Sequence, residues 1–229
     1  MKKVQNFIFS NRSYTPIPLL ICILYFSLPL FPFSLIGLFL IFFGELIRIM
    51  SVSYVGGITR TIKVGAPKLM TEGPYSITRN PLYLGNITIY SGVVLFAGGS
   101  LMWELLLLTL MFFTLQYSMI ISLEERTLTK LFDKEYKTYC SKVPRLLPKK
   151  LFWKNNLDIQ KSTFKTLKTE KRTLQNILLV ILIVLVKYYS KIIWKSPLLL
   201  FYEKWTFKVF YGRWWTIRRY SWRQLNYRN

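Results

Sequence analysis

The chain has 229 residues, 52% of them hydrophobic and 17% aromatic, yet its formal net charge is +22. Apolar content and charge on that scale coexist only when segregated: residues 1–121 hold 8 Lys/Arg and 3 Asp/Glu, residues 122–229 hold 24 and 7. The lack of any histidine excludes His-based triads, HExxH metal sites and histidine general bases.

Two cysteines, Cys22 in an apolar run and Cys140 in a basic one, offer neither a disulfide framework nor a thiolate metal site, so no metal is expected. Lys2 and Lys3 precede an apolar run from Ile17 that lacks a small-x-small cleavage pattern, which predicts an uncleaved first span. Four apolar stretches, at residues 15–31, 32–50, 82–99 and 100–121, approach the ~17–25 residues that a bilayer crossing needs. They pair as two hairpins turning at Pro29–Pro32 and Gly98–Ser100, and neither turn carries a Lys or Arg. Basic residues lie instead in the N-terminal segment (Lys2, Lys3, Arg12), in the loop 52–80 (Arg60, Lys63, Lys68, Arg79) and beyond residue 122. The positive-inside rule then places the termini of this four-span unit and its middle loop in the cytoplasm. Within the second stretch, Glu45 and Arg48 stand three residues apart, which predicts a structural ion pair near the cytoplasmic end.

The loop between the hairpins holds Gly56-Gly57, Gly65 and Gly73-Pro74, then Tyr75, Arg79, Asn80, Pro81, Tyr83, Gly85 and Asn86. Pro81 suits the first turn of a helix, which puts Arg79-Asn80 just before a helix N-terminus, where exposed amides favour an anion; a snorkelling arginine at a purely structural helix start is the alternative. After the fourth stretch come Glu124 and Glu125. Adjacent helical positions do not share a face, so at most one of the pair is expected to face a given pocket while the other can pair with a cation; a solvated helix start is the alternative. Leu128, Leu131, Phe132, Tyr136 and Tyr139 then recur at helical spacing, an amphipathic helix over 124–140 that Pro144 and Pro148 end. Residues 149–173 read as a basic linker, and 174–194 as a fifth span or an interfacial helix. In the tail 195–229, eight Lys/Arg interleave with eleven aromatics. Such interleaving can stack single-stranded nucleic acid, but beside a membrane span we read it as interfacial anchoring, with no nucleic-acid partner expected. Anionic lipid is the partner of the basic half, each Lys or Arg gaining ~1 kcal/mol near the leaflet.

Two segments carry a family resemblance. The run GPYSITRNPLYLG (Gly73–Gly85) and the later EERTLTKLFDKEYKTYCSKVPRLLP (Glu124–Pro148) resemble the isoprenylcysteine carboxyl methyltransferase and phospholipid methyltransferase family. GELIRIMSVSYVGGITR (Gly44–Arg60) is similar to its bacterial members. The resemblance covers about residues 37–148. It implies an all-α, polytopic membrane helix bundle of four or five spans, with residues 1–148 as the methyltransferase domain. Its cytoplasmic pocket, closed by loop and amphipathic helix, would hold S-adenosyl-L-methionine. Residue by residue, Gly73, Pro74 and Tyr75 match the cofactor-lining turn; Arg79, Asn80, Pro81, Tyr83 and Gly85 the motif after it. Glu124 and Glu125 match the acidic pair, and Tyr136, Tyr139 and Arg145 the closing helix. The family's histidine is Asn80 here, which hydrogen-bonds but cannot titrate.

The resemblance implies methyl transfer to a membrane-embedded lipid-like or isoprenylcysteine-like acceptor. Arg79 or Arg145 would orient a carboxylate, and Glu125 or Glu124 the ribose or amino group. A carboxyl acceptor needs no general base, which favours O-methylation over N-methylation of ethanolamine. A non-catalytic protein that binds anionic lipid is the reading from another class.

Overall fold

Proline and glycine punctuate the apolar runs, and the helices begin and end on them. In the computed structural model, residues 2–55, 65, 67–148 and 163–206 are described. Helices α1 (Lys2–Ser10), α2 (Ile17–Tyr25), α3 (Phe33–Val55), α4 (Pro81–Ala97), α5 (Met102–Lys142) and α6 (Thr163–Thr206) follow in order, with a 3-10 turn at Gly73–Ser76 between α3 and α4. No strand occurs among the described residues. The chain divides into two units, residues 1–184 and 185–229. The second is described only as the continuation of α6 to Thr206, and everything below lies in the first. Gly56-Gly57, Arg60 and Lys63 of the loop, the linker residues 149–162 and the tail from 207 lie outside the described residues.

Helices α3 and α5, and residues 166–191 of α6, are long and apolar enough to cross a membrane, and α4 is a shorter apolar helix. Leu35, Phe39, Phe42, Leu107 and Leu178 are exposed on these helices, as side chains facing lipid would be. The chain is an integral membrane helix bundle.

Three boundaries differ from expectation. The apolar stretch 15–31 yields a helix of only nine residues, ~14 Å long against a ~30 Å hydrocarbon core. It stops because the chain turns extended to pair with the other hairpin, the Leu28 N–H donating to the Ala97 carbonyl at 2.7 Å. The fourth stretch runs unbroken into the amphipathic segment, and α5 is interrupted by a kink only where Asp133 leaves helical geometry at φ 28° and ψ −101°. Helix α6 begins at Thr163, inside the segment read as a linker.

Small residues set the α3–α4 seam. Gly37 meets Gly92 and Gly44 meets Gly85 across an antiparallel contact, so that a Cβ on Gly92 would fall 2.7 Å from the Gly37 carbonyl and one on Gly44 2.8 Å from the Gly85 carbonyl. Close backbone approach of this kind drives helix association where lipid removes the hydrophobic term. At one end of the seam the two tight turns meet, Leu28 bridging Gly98, and the positive φ of Gly98 (61°) and Gly99 (98°) lets Gly99 tuck against the Phe26 carbonyl. The loop, the start of α4 and the bend of α5 gather at the other end.

Candidate active site at the polar end of the bundle

Gly73 adopts φ 58°, and the Tyr54 ring packs directly on it. Only a glycine fits there, and the 3-10 turn it opens is closed by the Ser76 hydroxyl donating to the Gly73 carbonyl at 2.7 Å. The bend at Asp133 carries Tyr136 and Tyr139 back over this turn. Tyr139 donates its hydroxyl to the Tyr75 carbonyl at 2.6 Å, and both rings join Leu69 and Val143 in a small apolar core with Leu128, Phe132 and Cys140 at its edge. Leu131, expected on that face, is exposed.

The segment after α5 is then tied down along residues 78–80. The Arg79 N–H donates to the Pro144 carbonyl at 2.9 Å, the Thr78 hydroxyl to Leu146 at 2.8 Å, and the Asn80 amide to the Arg145 carbonyl at 2.8 Å. Asn80 occupies the cap position of α4 but makes no side-chain capping bond. It works as a fastener between distant segments, a role for which an amide suffices.

The two acids part company as adjacent helical positions must. Glu125 pairs with both arginines, Arg79 at 3.2 Å and Arg145 at 3.2 Å, and Arg145 also donates to the Ser122 hydroxyl at 2.7 Å. Glu124 accepts from the Tyr83 hydroxyl at 2.9 Å. Burial pushes the Glu124 carboxyl up to about 7; Tyr83 and Arg12 oppose the rise and Glu125 adds to it. Burial likewise raises the phenols of Tyr75, Tyr136 and Tyr139, so they serve as donors at neutral pH. The site therefore holds one carboxylate paired with two cations and a second that is desolvated and accepts from Tyr83. Four buried polar atoms there, Arg79 Nε, Arg145 Nε, Glu72 Oε2 and Glu125 Oε1, have no hydrogen-bond partner, although the last is ion-paired with Arg79. Each of the others costs free energy unless a ligand satisfies it.

Comparison with known proteins bears on this geometry. Residues 32–135 match the phospholipid methyltransferase family. That match, over 104 of the 229 residues, is to a family of membrane methyltransferases and agrees with the resemblance carried by Gly73–Gly85 and Glu124–Pro148. No curated protein and no solved structure matches the chain.

Of the residues read from the sequence, Gly73, Pro74, Tyr75, Arg79, Asn80, Tyr83, Glu124, Glu125, Tyr136, Tyr139 and Arg145 come together at this end of the bundle. Gly85 does not. A Cβ on it would lie 2.9 Å from the Gly44 carbonyl and 2.8 Å from Arg48 Cγ. It is thus a packing glycine of the α3–α4 seam. Sequence reasoning missed Arg12, Tyr54, Thr78, Tyr117 and Ser122. Arg12 read only as a topology-setting cation, and no local pattern announces that it neighbours Glu124.

Proposed function

We propose that the chain transfers a methyl group from S-adenosyl-L-methionine to a lipid-like amphiphile at the cytoplasmic boundary of the membrane, and that the acceptor is the amine of a phospholipid headgroup. The observation that carries the choice of acceptor is that the two carboxyls sit in different settings, Glu124 desolvated beside the Tyr83 hydroxyl and Glu125 ion-paired with two arginines. An ammonium must lose a proton before its nitrogen can attack, and a base suited to that task has its pKa near the working pH. Glu124, desolvated and raised to about 7, meets the requirement, whereas Glu125 is held by Arg79 and Arg145.

The residues also fit the cofactor. The unmet donors Arg79 Nε and Arg145 Nε suit a carboxylate, and the unmet Glu72 Oε2 suits an ammonium or hydroxyl. Gly73 and Tyr75 would border it. When bound, the cofactor supplies an electrophilic sulfonium methyl, displaced in line. The protein's contribution is alignment, worth several kcal/mol of the barrier, and proton acceptance at the Glu124 carboxylate. A carboxyl acceptor is the second reading, favoured by the arginine pair beside Glu125 and by the absence of histidine.

Membranes holding the protein, incubated with methyl-labelled cofactor, decide between them. Label in the lipid extract that survives mild base is an N-methyl group; label released as methanol is an ester. Purified protein in detergent should bind the cofactor with a stoichiometry near one, and a chain that binds none is not this enzyme.

A further inference from the structure

Helix α6 lies outside the matched residues 32–135, yet it inserts a carboxylate into the bundle. Glu170 is 1% exposed and is the sole acid between residues 159 and 202. It accepts from Arg48 Nη2 at 2.6 Å, beside Thr173 Oγ1 at 3.3 Å from the same nitrogen, while Glu45 lies 3.4 Å from Arg48 Nε. So held, Arg48 donates its Nη1 to the Asn86 side-chain oxygen. Because a guanidinium only donates, Asn86 must offer it the oxygen, which leaves the amide nitrogen for its electrostatic interaction with Tyr117. The Tyr117 ring packs on Tyr83 with centroids 4.6 Å apart, and Tyr83 donates to Glu124. One ordered path thus runs from α6 through α3, α4 and α5 to the site carboxylate.

We propose that Glu170 is a positioning residue for Glu124: through Arg48, Asn86 and Tyr117 it fixes the Tyr83 ring whose hydroxyl holds the Glu124 carboxylate. The value of Glu124 as a base rests on the function proposed above; the positioning itself does not. Helix α6 is then part of the methyltransferase machinery, and its loss from the bundle disarms the site without touching the cofactor's partners.

The test reads Glu124 directly. The infrared carbonyl stretch of its protonated carboxyl, assigned by its loss in Glu124→Gln, is followed against pH in the full-length detergent-purified protein. Tyr83, Tyr75, Arg12 and Glu125 face this carboxyl and are present in every variant compared. In Glu170→Gln the Tyr83 donation is weakened, so the midpoint should rise by about one pH unit, the size of a charge-assisted hydrogen bond. An unrelayed electrostatic effect has the opposite sign, because Arg48 left uncompensated would lower the midpoint. An unmoved or lowered midpoint overturns the proposal. Thr173→Val, which removes one weaker acceptor from Arg48, should shift the midpoint the same way by less, and Glu170→Asp should restore part of the wild-type value. Turnover in Glu170→Gln should fall about tenfold with cofactor affinity within about twofold. If wild type transfers no methyl group, the functional reading fails while the infrared midpoint still decides the positioning claim.

Discussion

Replacing Glu125 by glutamine removes one charge from between two cations and changes almost nothing in volume. The Arg79 contact, at 3.2 Å between side chains 15% and 24% exposed, is worth about 1–2 kcal/mol once screening is allowed for. The Arg145 contact involves a side chain 41% exposed and adds less than ~0.5 kcal/mol. The loss of some 2 kcal/mol falls on arginine placement, because the fastening bonds from Thr78, Arg79 and Asn80 to residues 144–146 do not involve Glu125. Fold stability should therefore change little, with a melting temperature within about 5 °C of wild type in detergent. If the arginines hold the cofactor carboxylate, its dissociation constant should rise about 30-fold, read by calorimetric titration of S-adenosyl-L-methionine into purified protein. Affinity within twofold of wild type, with the fold intact, would remove Glu125 and its arginines from the cofactor site.

Other perturbations probe the remaining parts. The Glu124 carboxyl is raised by burial above its ordinary value of 4.5 to about 7, so the folded state binds the proton more tightly than the unfolded. Its contribution to stability is full below about pH 4.5 and is lost as pH rises through 7; thermal melts should show wild type losing stability over that window relative to Glu124→Gln, by at most ~3 kcal/mol. Gly92→Val puts a side chain where even a Cβ would sit 2.7 Å from the Gly37 carbonyl. A cost of about 3 kcal/mol or more is expected, seen as aggregation or a lowered melting point, with Gly92→Ala intermediate. Asn80→Ala removes one donor to the Arg145 carbonyl, at about 1 kcal/mol, and should speed proteolytic cleavage around 143–148 while leaving the bundle folded. Asn80→His should preserve protection there if the imidazole makes the same bond.

What the sequence disclosed follows the range of the forces involved. Periodicity and charge are local, so the apolar helices, the polar loop and the different fates of Glu124 and Glu125 were legible. Pro81 marked the start of α4, and Glu45 with Arg48 read correctly as an ion pair. Contacts between distant segments were not legible. Gly85 stood inside a motif that carried family resemblance, but its neighbours across the α3–α4 seam, Gly44 and Arg48, assign it to packing. The shortness of α2 depends on the bond from Leu28 to Ala97, some seventy residues away. Glu170 gave no local signal because its partner is Arg48, on another helix.

The family match ends at residue 135, while the site continues beyond it. Glu124, Tyr83 and the Gly73 turn lie inside the match. Closing the site requires residues 136–148, which supply Tyr139 over the Tyr75 carbonyl and Arg145 against Glu125. Arg12 adds charge beside Glu124 from before the match, and Glu170 braces Arg48 from after it. A truncation to residues 32–135 would keep both carboxylates but strip the second arginine from one and the Arg12 charge from the other. It would also expose Leu69 and Leu128, now covered by Tyr136, Tyr139 and Val143. Such a fragment should insert in membranes yet bind the cofactor at least tenfold more weakly than the full chain, because the atoms that need a ligand would be free to hydrate instead. Equal affinity in the fragment would mean that the flanking segments merely stabilise the bundle.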